Sequence, residues 1–431
     1  MNWRALIKAE FYAIFSNIPL LLTVFGGVFF YSFLYPLPYL NQVPHEQKVV
    51  VVNLDNSQLS RQLTRMVNAT PQVDVVYNVS TINKAKELLL NNKVKGLLII
   101  PKDFYKDILL KKSPALAFAG DAAYFLVYGA VVEGISRSVG TLSAQIKVSR
   151  MVVSGQNIAL AASQYSAIKL NMKPLFNSTI GYVSYVVPAV FVLILHQTLL
   201  IAMGLLTGKQ NEVTLSLINT SSKMLKDKLL KEEYLKSNND EPDYYWLSYS
   251  VWQVMLVRAA FMLMIYIPLV AYYFGYSFMY YNVSRLASIS DLILVIIPFL
   301  LSVIFLGMII GLLIPRKELA TLIVLLSSLP LVFVAGFIWP VASIPTIINT
   351  FAQFIPSTPA ITIFLRLNQM GDSITQLQPL LLQLWLLTAI YALIAALLMY
   401  RKQMKVNLLA FTSIWQDRNV DQEKLRAKAW K

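Results

Sequence analysis

The chain has 431 residues, 57% of them hydrophobic and only 14% charged, against about 25% charged in an ordinary soluble domain. A surface so poor in charge argues against a soluble protein, so the formal +15 and pI of 9.6 do not mark a soluble nucleic-acid binder. With no cysteine there is no disulfide, thiolate metal site or Cys nucleophile, and two histidines leave little for a metal centre or a proton shuttle.

At the N-terminus, Trp3, Leu6 and Ile7 beside Arg4 and Lys8 read as an amphipathic interfacial lead-in. Downstream, six long intervals lack Asp, Glu, Lys and Arg: Phe11 to His45, Pro174 to Gly208, Ala259 to Ser284, Leu292 to Pro315, Leu319 to Leu365, and Ser373 to Tyr400. Each exceeds the roughly 20 residues that cross a bilayer core. Spans are predicted at Pro19–Tyr35, Tyr182–Leu206, Ala259–Tyr276, Leu292–Ile314, Thr321–Ile338 and Pro379–Tyr400, all free of formal charge. Nothing resembling a cleavage site follows Tyr35, so the first span is expected to be a retained anchor.

Between the first two spans the composition becomes that of a soluble α/β domain, residues 37–178. Lys48–Asn53 reads as a buried strand, followed by a turn at Leu54-Asp55-Asn56 and a helix over Gln58–Asn68 capped by Ser57. A strand at Val73–Tyr77, a helix from Ser80 to Asn91, a strand at Val94–Ile100, a short helix over Asp103–Leu110 and a strand at Ala115–Ala119 follow. A long helix then runs from Ala122 toward Lys169, with Gly129, Gly134, Gly140 and Gly155 as weak points. Asp55 and Asp121 follow strands, where ligands often bind, but turn residues are commoner there. The domain reads as an interaction or gating domain.

His196, Gln197 and Thr198 lie mid-way along the second span, and Ser327 and Ser328 along the fifth. Pro188, Pro268, Pro298 and Pro330 put one proline in each of spans two to five, where each removes a backbone donor and favours a kink; they are the hinge candidates. The inner loop 208–257 holds a mixed-charge helix, Lys223–Lys236, which reads either as a solvated helix or as a docking helix. The fifth interval, 47 residues long, exceeds what one crossing needs. Its second part, 339–364, is broken by Pro340, Pro345, Pro356 and Pro359, and reads as a re-entrant pair of helices. Asn349 and Gln353, with His196, Gln197, Ser327 and Ser328, are the candidates for lining a path across the membrane, although polar residues in such spans more commonly hydrogen-bond between helices or to backbone.

Lys and Arg set the orientation. Nineteen lie in the segments that share a side with the N-terminus, including the tail 401–431, against Arg285 and Arg366 on the short opposite loops. Both termini are therefore expected to be cytoplasmic. The outer domain carries 16 basic and 8 acidic residues, and the loop Lys209–Arg258 is balanced at 7 of each.

The only approach to a phosphate-binding loop is Gly204–Lys209 (GLLTGK), one residue short and followed by Gln210 rather than Ser or Thr; it reads as the end of a membrane helix. No chain of buried acids is available for ion coupling. Any transport must draw its energy from another chain.

Four stretches carry a family resemblance: Val49–Val76 (VVVVNLDNSQLSRQLTRMVNATPQVDVV), Lys93–Ile108 (KVKGLLIIPKDFYKDI), Phe176–Ile201 (FNSTIGYVSYVVPAVFVLILHQTLLI) and Leu329–Leu367 (LPLVFVAGFIWPVASIPTIINTFAQFIPSTPAITIFLRL). With these the chain resembles the permease subunit of type-2 ABC transporters, in the bacterial exporter branch with a large periplasmic domain between the first two spans. The resemblance implies a polytopic α-helical protein of the bacterial inner membrane, with six transmembrane helices, re-entrant helices after the fifth and a periplasmic α/β domain. It implies a dimer, either a homodimer or a pair with a paralogous permease, working with an ABC ATPase subunit that binds ATP and Mg while this chain holds no cofactor. A periplasmic adaptor protein and an outer-membrane channel are implied as further partners. A Glu-x-Gly-Thr pattern follows span two in the family; Glu212-Val213-Thr214 matches it in part, with Val213 in place of Gly and one residue missing. Lys209, Glu212, Thr214, Lys226 and Lys228 are accordingly the ATPase-coupling candidates. From a different class, the alternative is a membrane-tethered sensor or scaffold with a periplasmic ligand-binding domain.

Overall fold

The computed structural model describes residues 3–40, 43–164, 175–177, 181–219 and 245–429; in the last helix, side chains are described as far as Leu408. The chain divides into two compact units, one of Met1–Leu40 with Val183–Lys431, the other of Asn41–Tyr182.

Helix α1 (Trp3–Phe15) buries Leu6, Ala9, Glu10, Ala13 and Ile14, a stripe at the i, i+3, i+4, i+7, i+8 spacing of one helix face. Trp3, Ile7, Phe11 and Tyr12 remain exposed. A carboxylate thus sits in the middle of the inward face. The helix stops at Ser16, and Asn17 caps the next one by accepting from the Leu20 amide, with Pro19 in its first turn. Helix α2 (Ile18–Leu21), a π-helical stretch (Leu22–Gly27) and α3 (Val28–Leu34) then form one apolar run, Ile18–Tyr39.

In the second unit, β1 (Gln47–Asn53) leads through α4 (Gln58–Asn68) to β2 (Val73–Val79). The chain continues through α5 (Ile82–Leu90) to β3 (Gly96–Ile100), and through α6 (Phe104–Leu109) to β4 (Ala117–Gly120). The sheet order is β2-β1-β3-β4, with β1 parallel to both neighbours and β4 antiparallel at one edge. The valine run of β1 is buried on both faces, as a central parallel strand requires. Val49 and Val51 pack with Leu63 and Val67 of α4, while Val50 and Val52 pack with Ala85 of α5. Ser57 caps α4 by accepting from the Ser60 amide. The N-cap of α5 is Thr81 rather than Ser80. Helix α7 (Phe125–Val153) ends where Gly155 takes a φ of +94°, so the long helix expected toward Lys169 breaks there; α8 (Ile158–Gln164) follows.

The first unit resumes with α9 (Tyr182–Asn219) and α10 (Val251–Ala271), which passes through a π-helical turn (Tyr272–Ser277) into α11 (Phe278–Tyr280). Then come α12 (Ile289–Leu313), α13 (Glu318–Val334), α14 (Thr346–Ala352), α15 (Ser357–Leu365) and α16 (Gln378–Ala429). Among the described residues, five stretches are long and apolar enough to cross a membrane: Ile18–Tyr39, Tyr182–Ser216, Val251–Tyr280, Ile289–Leu313 and Ile374–Leu408. The sixth expected span, Thr321–Ile338, corresponds to α13, which has 17 residues, about 25 Å at 1.5 Å per residue. It ends early because Gly336 turns the backbone to a φ of +83°. The segment 339–364 holds the two short helices α14 and α15.

Two further boundaries move. Helix α9 continues past Gly208 to Asn219 and α10 begins at Val251, so helix occupies both ends of the expected loop 208–257. The basic tail continues α16 without a break.

Glycines hold α9 against its neighbours. A Cβ on Gly307 would lie 2.5 Å from the Met203 Cβ, and one on Gly204 would lie 2.6 Å from the Ala320 Cβ. Gly204-x-x-x-Gly208 and Gly307-x-x-x-Gly311 are therefore small-residue seams that let helices approach closely. That is the structural role of the GLLTGK stretch. Phenols tie the first apolar run to the π-helical turn and to the end of α11: Tyr273 donates to the Val28 carbonyl at 2.7 Å and Tyr281, just past α11, to that of Ser32 at 2.9 Å.

Candidate functional site

The inward face of α1 and the first turns of α10 bring two opposite charges together. Arg258 lies two turns inside α10, because Ser250, the N-cap, and Gln253 form a capping box that starts the helix at Val251. A boundary drawn at the last charge puts Arg258 in a loop and the span start at Ala259. The structure corrects this: Arg258 is inside an apolar helix and fully buried, as is Glu10.

Arg258 Nε donates to Glu10 Oε1 at 2.5 Å and Nη2 to Glu10 Oε2 at 3.3 Å. Nη2 also reaches Gln210 Oε1 at 2.9 Å and the Tyr245 hydroxyl at 3.0 Å, while Nη1 reaches Thr207 Oγ1 at 3.3 Å. Tyr245 donates to Glu10 Oε2, and Gln210 Nε2 donates to the Tyr245 hydroxyl at 3.2 Å. Burial, and next the Glu10 carboxylate, push the Tyr245 phenol above its ordinary value, so it stays a donor. Enclosed charges persist only when paired and hydrogen-bonded, and here each has several partners.

A second layer adjoins this knot. Asn211 Nδ2 donates to the Ile314 carbonyl at 2.6 Å, just past the end of α12, and Lys402 Nζ lies 2.5 Å from Asn211 Oδ1. Gln403 Nε2 donates to the carbonyls of Trp246 at 2.7 Å and Tyr249 at 3.1 Å. Side chains of α1, α9, the 245–249 stretch, α10 and α16, with the end of α12, thus meet in one polar assembly. Among the described residues no cluster of His, Asp or Glu could hold a metal ion. The assembly ties six parts of the chain to one another.

Of the coupling candidates, Thr214 is buried and donates to the Gln210 carbonyl at 2.8 Å, beside the knot. Lys209 and Glu212 are partly buried on the same helix. Lys226, Lys228 and the rest of Lys223–Lys236 lie outside the described residues. The path candidates divide into groups. Gln197 donates to Ser328 at 2.9 Å, joining α9 to α13, and Ser327 donates to the Val324 carbonyl of its own helix. Asn349 accepts from Gln353 at 3.3 Å, and Gln383 of α16 donates to the Gln353 carbonyl at 2.8 Å. His196 is fully buried with neither ring nitrogen hydrogen-bonded. Pro188, Pro268, Pro298 and Pro330 all lie inside helices; the π-helical turn begins four residues after Pro268, and Thr388 donates to the Pro298 carbonyl at 3.0 Å.

In the other unit, Asp55 accepts from the Tyr105 amide at 3.3 Å and Asp121 from the Ala123 amide at 3.1 Å. Both serve turns. Sequence reasoning missed Glu10, Thr207, Gln210, Tyr245 and Arg258. The available signal was a Glu at the centre of the apolar stripe of α1, which an amphipathic helix excludes unless the carboxylate has a partner.

A family model described as "ABC-2 family transporter protein" matches residues 19–224 and 243–397. No curated protein matches the chain.

Proposed function

The chain belongs to the ABC-2 family of transporter proteins, and on that premise we propose that it is the membrane-spanning permease subunit of an ATP-driven exporter. ATP, with Mg, is bound and hydrolysed by a separate ABC ATPase subunit, and this chain forms the translocation path. The family and the apolar helices make it a multi-pass membrane protein. In the proposal α13 completes six crossings, the segment 339–364 is re-entrant, and the unit Asn41–Tyr182 stands in the periplasm. The Lys/Arg asymmetry supports an inner membrane with both termini, and hence the knot, on the cytoplasmic side. Two such subunits, identical or paralogous, complete the pore; an adaptor and an outer-membrane channel extend it.

The observation that carries this reading is the Glu10–Arg258 knot. A permease worked by an external motor needs a place where a push on one segment moves several helices together. The knot supplies one, at the end of the helices where Thr214, Lys209 and Glu212 lie. The test is affinity purification of the tagged chain from its native membrane. An ABC ATPase subunit should co-purify in near-stoichiometric amount, and the permease alone should hydrolyse no ATP; hydrolysis by the pure chain would overturn the reading.

A further inference from the structure

Within the unit Asn41–Tyr182, α4, α6 and the second half of α7 enclose an open groove of about 810 Å³, the size of a small-molecule site. Its apolar lining includes Ile108 and Leu142, both buried, and Ile146. The same groove leaves Leu109 63% and Val153 88% exposed. Its charged lining is Lys111 and Arg150, with no acidic residue. A smaller cavity of about 180 Å³ shares Ile108, Leu142, Ile146 and Arg150 and adds Lys112 and Lys147.

Helices α6 and α7 both end at this groove, and bare carbonyls there would repel an anion. They are not bare. Arg150 donates to the Ile108 carbonyl. Gly155 N donates to the Val152 carbonyl at 2.9 Å and Gln156 N to that of Met151 at 3.1 Å, the pair of bonds that closes a helix on a left-handed glycine. What the groove offers is therefore an apolar strip along Leu142 and Ile146, edged by Gln62 and Gln145, with Arg150 and Lys111 where the two helices end. The unit around it has twice as many basic as acidic residues.

We propose that this groove binds a single-chain anionic amphiphile, its apolar chain along Leu59, Leu142 and Ile146 and its anionic head against Arg150 and Lys111. The site stands on the geometry of its own unit and holds whether or not the chain exports.

The test uses the full chain in nanodiscs of phosphatidylcholine, photolabelled with a diazirine-bearing dodecanoate and mapped by peptide mass spectrometry. Label is expected on the stretches 105–111 and 142–154, chased by dodecanoate about tenfold better than by dodecanol, a ratio of about 1.4 kcal/mol for the lost charge contact. Lys111→Gln and Ser149→Glu, both on the groove wall and away from the core, should each lower that label several-fold while circular dichroism stays unchanged. Label confined to the helices of 182–408, equal chase by the alcohol, or wild-type labelling of both variants would overturn the proposal. So would loss of the label when phosphatidylglycerol replaces the neutral lipid, which would give the groove to a membrane lipid.

Discussion

Arg258 and Glu10 are 248 positions apart in the chain, yet their side chains meet at 2.5 Å with neither accessible to solvent. The pair joins the lead-in helix to the start of an apolar helix, and Tyr245, Gln210 and Thr207 close around it. A charge so enclosed is tolerated for its partners, so its variants report on the partnership.

Removing one partner leaves the other charge buried and alone. Glu10→Gln and Arg258→Met are each expected to cost about 3–5 kcal/mol, read as a loss of thermal stability in detergent. The double variant Glu10→Leu/Arg258→Met should recover most of that loss. Additive losses would show that the two side chains act separately.

The contact between α9 and α12 is limited by the absence of side chains. Gly307→Ala places a methyl 2.5 Å from the Met203 Cβ, and overpacking of this kind costs about 1–3 kcal/mol. Adding Met203→Gly should not rescue the melting temperature, because Met203 is fully buried and its loss leaves a cavity that costs about 2–5 kcal/mol. Tolerance of Gly307→Ala alone would mean that the helices have room to separate.

Gln197 and Ser328 form a polar contact between two apolar helices. Interhelical hydrogen bonds of this kind average about 0.6 kcal/mol in membrane proteins, so Gln197→Leu and Ser328→Ala should each be mild and non-additive. A loss of transport far beyond the loss of stability would mark the pair as part of the path rather than as packing.

Topology can be read directly because the chain contains no cysteine. Single substitutions Lys102→Cys and Arg285→Cys should react with a membrane-impermeant maleimide from outside the cell, while Arg316→Cys reacts only after permeabilisation. The pattern fixes whether α13 crosses the membrane when Arg366→Cys is added: external labelling there, with Arg316 internal, requires a crossing between them.

Local patterns were legible where local physics decides. The valine run of β1 and the Ser57 cap follow from strand burial and side-chain capping within a few residues, whereas of four glycine weak points in a helix expected to reach Lys169 only Gly155, with its positive φ, ends it. The apolar intervals likewise marked where the long helices lie. The knot was not legible, because a rule that ends a span at its nearest charge cannot anticipate a partner 248 positions away. That rule leaves Arg258 in a loop and starts the helix capped by Ser250 eight residues too late. The end of α13 escapes hydropathy for a related reason: the apolar run continues to Ile338, but the helix stops at Val334, just before Gly336 turns to a positive φ. The π-helical stretches at Leu22–Gly27 and Tyr272–Ser277 carry no composition signal, and the phenols that bond across from them come from distant segments.

The central claim, that the knot transmits the motor's work to the permease, is tested in vesicles holding the chain with its ATPase subunit. The measurement is the stimulation of ATP hydrolysis by the permease, compared between wild type and Glu10→Leu/Arg258→Met. The account predicts that the double variant folds and still binds the ATPase subunit, while the stimulation falls about tenfold or more, the equivalent of at least about 1.4 kcal/mol. Full stimulation in a correctly assembled double variant would contradict it.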